Sequence, residues 1–383
     1  MESQVSEIER SSEDRVPAGP LRFRRPDRSQ TRMVPLSLEE MIPPGHPVRV
    51  LGDLAERLDL SRFTDGLKVS EGQAGRSATD VRLLVALWLY AATQGVGSAR
   101  ELERLCEHHA AYRWLCGGVH VNYHTLSDFR VSHEEALDDL MTEVMTLLMA
   151  RKLVSVHRIS QDGLRVRASA GKSRFRREQR LQGWLDQAKG QGEALKAQRE
   201  APARTDRNAR QAAARERAAR ERLERVQKAI GALEEIKKIK ARARSNDRDK
   251  PRQARASTTD SEARVMKMPE GGFVKLEQIQ AAEQAGVCVY APPQGGRGDV
   301  DPCQVRKTDS PEIAAWRTRM AREEGKSLYK ERASTSETVN ADLRTYRGLG
   351  RLLVRGLRKV RCVTLWSALA YNLMHLGEAL LVG

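Results

Sequence analysis

Aromatic residues are scarce in this chain of 383 residues, at 4% of the sequence. Recognition of single-stranded nucleic acid by stacking many bases needs a supply of aromatic rings, so this kind of binding is disfavoured. The five cysteines (Cys106, Cys116, Cys288, Cys303 and Cys362) are scattered, odd in number and form no Cys-x-x-Cys pair. They indicate reduced thiols in a cytosolic protein. The N-terminal residues also lack the apolar stretch that a secretory signal requires.

A zinc site has weak support from the sequence. Cys116, His120 and His124 have a spacing at which zinc binding is imaginable, but no paired cysteine motif accompanies them. A buried thiol beside surface imidazoles explains the same residues.

A membrane span is also poorly supported. The C-terminal residues 362–383 are apolar and follow a basic run that resembles a cytoplasmic flank, but polar and acidic side chains interrupt their second half. We expect a helix that docks onto the protein core, and no membrane partner.

Positive charge is abundant, with 67 Lys and Arg against 51 Asp and Glu, for a formal net charge of +16. Such an excess favours a polyanionic partner such as nucleic acid or, less often, an anionic membrane surface. Counted along the sequence, about +14 of this charge lies between Lys172 and Arg255.

The N-terminal part is predicted to be helical. Residues 1–45 have the composition of a disordered arm, and residues 46–150 have the pattern of an all-helical domain. Ser98 and Ser132 are each followed three residues later by Glu. These pairs resemble capping boxes and predict that a helix begins after each serine.

The pattern changes to a period of two after residue 150. Asp162 and the glycine after it form the strongest short-range signal for a β-hairpin, and Leu164 and Val166 alternate with arginines beyond it. We therefore predict a hairpin with Asp162 at the end of a strand. Residues 286–292 are similarly predicted to form a buried strand.

Residues 173–256 are predicted to form an inserted helical arm. Two charged helical runs, 180–200 and 207–244, are separated by Pro202. The second run carries an apolar stripe at helical spacing, which is typical of a helical hairpin or a coiled coil. Its basic surface could meet DNA phosphates.

Tyr329, Arg332, Glu337 and Arg344 lie in a segment without proline or glycine. At about 100° per residue they span roughly −60° to +80° around an α-helix, with Tyr329 taken as zero, and so share one face. A carboxylate between two guanidinium groups suggests a functional site. An ordinary polar face with some ion pairing explains the spacing as well.

These four residues resemble the Y-x2-R-x3-E-x6-K signature of bacterial insertion-sequence DDE transposases, with Arg344 in place of the final Lys. Segments 46–49, 98–106 and 124–130 are similar to the N-terminal helical domain of that family. Segment 159–170 is similar to the strand that carries its first catalytic Asp. The resemblance extends from about residue 46 to residue 376.

The resemblance implies an α+β fold and a metal-dependent enzyme. The expected core is an RNase H-like mixed sheet formed by residues 151–172 and 257–383, with strands missing and the arm 173–256 inserted. The implied activity is cleavage at transposon ends and strand transfer by a homo-oligomer bound to duplex DNA. Two Mg²⁺ or Mn²⁺ ions about 3.5–4 Å apart would be held by carboxylates, including Asp162 and Glu337.

The same resemblance implies roles for the residues around Glu337. Arg332 would steady Glu337 or the scissile phosphate, and Tyr329 would position the DNA. Arg344 would contact a phosphate and keep the charge of the usual Lys while presenting a bidentate fork. In the N-terminal domain, segment 124–130 is compatible with a helix-turn-helix-like element, so Arg130 is a candidate DNA-binding residue. Packing explains that segment equally well.

The second Asp of the family has no direct counterpart here. About sixteen residues, 257–272, separate the arm from the matching turn, which is too few for several strands. Glu270 stands where the second Asp is expected, either as a replacement ligand or as a loop carboxylate without a metal role. The chain is therefore a transposase or its truncated descendant, or else a non-catalytic DNA-binding remnant. An RNA-binding or coiled-coil scaffold would leave the Tyr329 signature unexplained.

Overall fold

The computed structural model describes residue 29 and residues 37–65, 77–160, 163–164, 166–199, 206–242, 253–265, 275–293 and 301–382. Helices dominate these ranges. The first six are α1 (Pro47–Arg57), α2 (Val81–Thr93), α3 (Ala99–His108), α4 (Ala110–Cys116), α5 (Tyr123–Ser132) and α6 (Glu134–Ala150). The next seven are α7 (Glu178–Arg199), α8 (Asp206–Arg242), α9 (Leu276–Gln284), α10 (Pro311–Ala321), α11 (Glu323–Arg332), α12 (Thr338–Thr345) and α13 (Leu357–Leu381).

Capping side chains set the starts of several N-terminal helices. The Ser98 hydroxyl accepts a hydrogen bond from Glu101 N at 3.4 Å, so the predicted cap of α3 is confirmed. The predicted cap at Ser132 is wrong, because Ser132 is the last residue of α5 and His133 precedes α6. The Ser132 hydroxyl instead donates to Asp128 O at 2.8 Å, within the helix that it ends.

The C-terminal helix α13 completes the core of the N-terminal helices. It packs against α1, α2, α5 and α6. Trp366 is 1% exposed, and its Nε1 donates to Arg130 O at 3.1 Å. Gly377 allows a close approach, because a Cβ there would lie 2.7 Å from Leu54 Cδ1. The expectation of a core-docking helix is confirmed.

Among the described residues, no helix combines the length and the apolarity needed to cross a bilayer.

The arm is a helical hairpin formed by α7 and α8, which pack side by side. Leu181 from α7 and Leu233 from α8 are buried between the two helices. The predicted stripe ends early, since Ile239 is 64% exposed. At the base of the arm, β1 (Phe175–Arg176) pairs antiparallel with β2 (Ala256–Ser257). This short ladder closes the insertion where the chain leaves and re-enters the rest of the protein.

The hairpin predicted around Asp162 is not observed in the part of this segment that the structure describes, which excludes residues 161, 162 and 165. Arg167 instead forms an isolated parallel bridge with Arg351, about 180 positions away. The Arg167 N donates to Gly350 O at 3.2 Å, and its carbonyl accepts from Leu352 N at 2.9 Å. Arg167 thus pairs with a distant segment, and the turn predicted at Asp162 lies outside the described residues.

The strand predicted at 286–292 is wrong. Val287 is 58% exposed, and the described residues 287–293 form no ladder. The backbone of Val289 is bonded by side chains, because its N donates to Glu283 Oε1 at 2.7 Å and its O accepts from Arg319 Nη1 at 3.2 Å. These bonds replace those that a neighbouring strand would supply.

The fold is thus mostly helical with a small sheet, consistent with the α+β class. Across the described ranges, the β1–β2 pair is the only sheet. An RNase H-like sheet remains a prediction.

Candidate active site

The segment around Glu337 departs from an α-helix. Between α11 and α12, Ala333–Glu337 form a π-helical segment. Serine hydroxyls in this segment donate hydrogen bonds to backbone carbonyls of the preceding turn. Ser334 Oγ lies 2.9 Å from Glu331 O, and Ser336 Oγ lies 3.1 Å from Arg332 O. Single π turns inside α-helices occur frequently at functional sites.

The π segment brings Arg332 and Glu337 together. On a regular α-helix, residues five apart point about 140° away from each other. The wider π turn reduces that angle, and Arg332 Nη2 lies 3.0 Å from Glu337 Oε1. The guanidinium carbon of Arg332 is also 5.2 Å from the centre of the Tyr329 ring. Three of the four signature residues therefore form one contact chain.

The Glu337 carboxylate remains accessible in this arrangement. Its side chain is 52% exposed, whereas that of Arg332 is 28% exposed. An ion pair at such exposure contributes only about 0–1 kcal/mol, so it orients the carboxylate more than it stabilises the fold. A cation or a DNA phosphate can approach from the solvent side.

Arg344 lies apart from this contact chain. It is exposed, and within the described part of the chain its guanidinium has no hydrogen bond or ion pair. Its backbone is closely packed, because a Cβ at Gly350 would lie 2.9 Å from Arg344 O. Among the described residues, Arg344 is thus an unpaired cation that lies seven positions after Glu337 in the sequence.

Asp162 and Glu270, the other two predicted carboxylates, lie outside the described residues. The segments on either side of Asp162 are described, and both contact the neighbourhood of Glu337. Arg158 forms an ion pair with Glu331. On the other side, Leu164 and Val166 pack on the same small apolar cluster as Leu343.

Arg130 is engaged within the N-terminal domain. Its Nη1 donates to Gly97 O, and its guanidinium carbon lies 4.6 Å from the centre of the Trp88 ring. Burial lowers the pKa of Arg130 to about 10, which leaves it charged at neutral pH. This geometry favours the packing explanation, and DNA contact by Arg130 stays a prediction.

Cys116 and His120, two of the three residues with a spacing that could suit zinc, contact other side chains. Cys116 is buried beside Cys106, whose thiol pKa is raised because it hydrogen-bonds to Cys116 and is buried. His120 faces Glu107, with Nε2 3.7 Å from Oε1. No cluster of three metal-binding side chains occurs among the residues that the structure describes.

Two family models match the chain. A transposase domain, DUF772, matches residues 36–132, and a transposase DDE domain matches residues 301–377. These two matches support an insertion-sequence DDE transposase. No curated protein and no solved structure matches it.

The two matches cover the two ends of the chain and leave its middle unmatched. The first covers α1 to α5, and the second covers the whole Tyr329–Arg344 signature, the π segment and most of α13. Both ends of the chain therefore support the same enzyme family. The intervening residues 133–300 include Asp162, the arm and Glu270.

Proposed function

We propose that this transposase binds the terminal inverted repeats of its insertion sequence and performs metal-dependent DNA cleavage and strand transfer. Asp162 and Glu337 are the proposed metal ligands. The observation that supports this pairing is the pair of contacts that bracket both residues.

One contact precedes Asp162 and Glu337 in the sequence, and the other follows them at a similar separation. Arg158, four residues before Asp162, pairs with Glu331, six residues before Glu337. Leu164 and Val166, two and four residues after Asp162, share a cluster with Leu343, six residues after Glu337. If these two contacts hold segment 158–166 alongside segment 331–343, the middle of the first segment, at Asp162, would lie close to Glu337.

The donor chemistry fits a divalent cation. Mg²⁺ and Mn²⁺ prefer carboxylate oxygens, and two ions about 4 Å apart need carboxylates from separate segments. Two such carboxylates repel each other without a cation, so the pair favours metal binding. When bound, the ions would activate the attacking oxygen and stabilise the leaving one.

The remaining roles belong to side chains around Glu337. Arg332 fixes the direction of the Glu337 carboxylate, and Tyr329 supports Arg332 from its other side. Arg344 has an exposed guanidinium with which to hold a DNA phosphate. Arg332 would steady Glu337 or the scissile phosphate, as the family resemblance implies.

We assign the larger units as follows. Residues 46–150 bind DNA together with the basic arm 173–256. Residues 151–172 and 257–383 contribute the RNase H-like catalytic unit, with α13 reaching into the N-terminal core. The active form is a homo-oligomer on duplex DNA.

The decisive experiment measures DNA retention and nicking separately, using the terminal inverted repeats with Mg²⁺ or Mn²⁺. We expect Asp162→Asn and Glu337→Gln to retain the DNA but to lose nicking by at least about 100-fold. Glu324→Gln is the matched control, because it removes an exposed carboxylate from α11 in the same DDE match. Nicking that persists in Glu337→Gln would refute the assignment.

The same experiment separates the transposase from a non-catalytic remnant. A wild-type chain that retains the repeats and nicks with neither metal is a DNA-binding remnant. If it nicks, Glu270→Gln tests the second ligand: loss of nicking supports a replacement carboxylate, and unchanged nicking makes Glu270 a loop residue. Asp162 and Glu337 carboxylates more than about 10 Å apart in an experimental structure would exclude a shared site.

A further inference from the structure

A cleft with a volume of about 730 Å³ lies between the base of the arm and the segment that precedes α13. None of the described residues that line it is acidic. Six arginines line it: Arg167, Arg174, Arg222, Arg225, Arg351 and Arg355. They come from three separate parts of the chain, namely residues 167–174, α8 and residues 351–355, so the fold rather than one basic run gathers them.

Among the residues that the structure describes, no carboxylate neutralises these six arginines. All six are exposed, and none forms an ion pair with a carboxylate in the described ranges. Their described side-chain bonds go to neutral acceptors, as in Arg222 Nη1 to Gln191 Oε1 at 2.9 Å and Arg355 Nε to Ser169 O at 3.2 Å. Elsewhere, exposed arginines such as Arg82 and Arg104 face carboxylates.

Such a cleft suits a chain of phosphates. Like charges around one cavity repel each other, and the repulsion is relieved when a polyanion enters. The planar fork of Arg matches phosphate oxygens in pairs, and Thr258 and Thr259 add hydroxyl donors to the wall. The volume is that of a small-ligand cavity. A stretch of backbone enters it more readily than a whole duplex does.

We propose that this arginine cleft holds the phosphodiester backbone of the DNA next to the cleaved bond, clamping it between the arm and the catalytic segment. The sequence limits the distance between the cleft and the cleaved bond. Arg167, which lines the cleft, comes five residues after Asp162, and five residues span at most about 18 Å. Phosphates of one strand advance by about 3.4 Å each along the duplex. The contact nearest the cleaved bond should therefore fall within about five nucleotides of it. This placement rests on the proposed role of Asp162.

The first test measures the salt dependence of binding to a fluorescein-labelled random-sequence duplex by anisotropy. Each phosphate contact contributes about 0.9 to the slope of log K against log salt. We expect Arg222→Ala/Arg225→Ala and Arg351→Ala/Arg355→Ala each to reduce that slope by about 1.8. Unchanged slopes in both variants would overturn the proposal.

The matched control is Arg358→Ala/Arg361→Ala, which removes the same charge from exposed arginines that already face the carboxylates of Glu134 and Asp138. We expect the slope of log K against log salt for this control to equal that of the wild type. If the control lowers the slope as much as the cleft variants do, the change reflects net charge alone, and the proposal of a specific cleft is refuted. Thermal melts of all variants confirm that they fold. Because this assay does not need catalysis, it tests the cleft even in a chain that cannot nick.

A second test locates the contact along the DNA. Neutral methylphosphonates are placed one at a time along the transposon-end duplex. We expect those within about five nucleotides of the cleaved bond to weaken wild-type binding but not that of Arg222→Ala/Arg225→Ala. Equal weakening in both proteins would place the contact outside the cleft. A wild-type chain that binds no DNA refutes the proposed function itself.

Discussion

Replacement of Trp366 by Ala is expected to destabilise the N-terminal helices, although Trp366 is more than 200 positions away from them in the sequence. Its indole is 1% exposed and lies 6.4 Å from the Phe63 ring and 6.1 Å from the Phe129 ring. A buried Trp removes about 150–250 Å² from water, which at about 25 cal/mol per Å² is about 4–6 kcal/mol. Measured losses for such truncations are about 3–5 kcal/mol. We therefore expect a loss of about 4 kcal/mol.

Trp366→Phe separates packing from hydrogen bonding. It keeps an aromatic ring but removes the Nε1 donor to Arg130 O, a carbonyl in the last turn of α5 that lacks a helical partner. We expect this variant to lose only about 1–2 kcal/mol.

Urea unfolding of the full chain, followed by far-ultraviolet circular dichroism, measures both losses. A loss below about 1 kcal/mol for Trp366→Ala would show that the N-terminal helices keep their core without α13. An equal loss in both variants would mean that the hydrogen bond, and not the packing, anchors α13.

Three further predictions concern stability and binding. The bidentate contact with Arg319 holds the pKa of Glu283 below its ordinary value, so its stabilising effect is complete above that value and disappears as the pH falls through the depressed pKa. Glu283→Gln should therefore cost about 1–2 kcal/mol in urea unfolding at pH 7, and progressively less as the pH falls through the depressed pKa of Glu283. Gly348→Ala should lower the melting temperature more than Gly118→Ala: both glycines have positive φ, but only at Gly348 would a Cβ meet a backbone oxygen, at 2.9 Å. Deletion of residues 172–255 should weaken DNA binding and flatten its salt dependence in filter-binding assays, and full binding after the deletion would contradict a role for the arm.

Local patterns were sufficient to predict much of the helical structure. The two runs expected in the arm are observed as α7 and α8, because a helical period over more than twenty residues is a strong signal. The cap at Ser98 and the docking of α13 were also predictable, since each depends on side-chain chemistry within a short segment.

Long-range contacts explain what the sequence analysis missed. The backbone bonds that replace a strand at 286–292 come from Glu283 and Arg319, and the carboxylate of Glu283 is positioned by a residue 36 positions away. The partner of Arg167 is Arg351, which no local turn signal could indicate.

The π segment at Ala333–Glu337 was not predicted for a different reason. The sequence analysis placed the signature residues with the α-helical angle of about 100° per residue throughout. Serine and threonine at 334–336 were the available signal, since their hydroxyls compete for helix carbonyls. The prediction that the signature residues face one another still held for Tyr329, Arg332 and Glu337. It held because the π turn corrected an angle that a regular helix would have left too wide.

The position of α13 has a consequence for the order of folding during synthesis. Helices α1 to α6 leave the ribosome first, but the groove that they form is filled only when Leu357–Leu381 has been made. At about 5–20 residues per second, the 231 positions between residue 150 and residue 381 take about 10–45 s. For that interval the nascent N-terminal helices expose the apolar surface that α13 later covers. A chain that stops early cannot complete this core, so only a protein that also carries the signature around Glu337 acquires a finished N-terminal core.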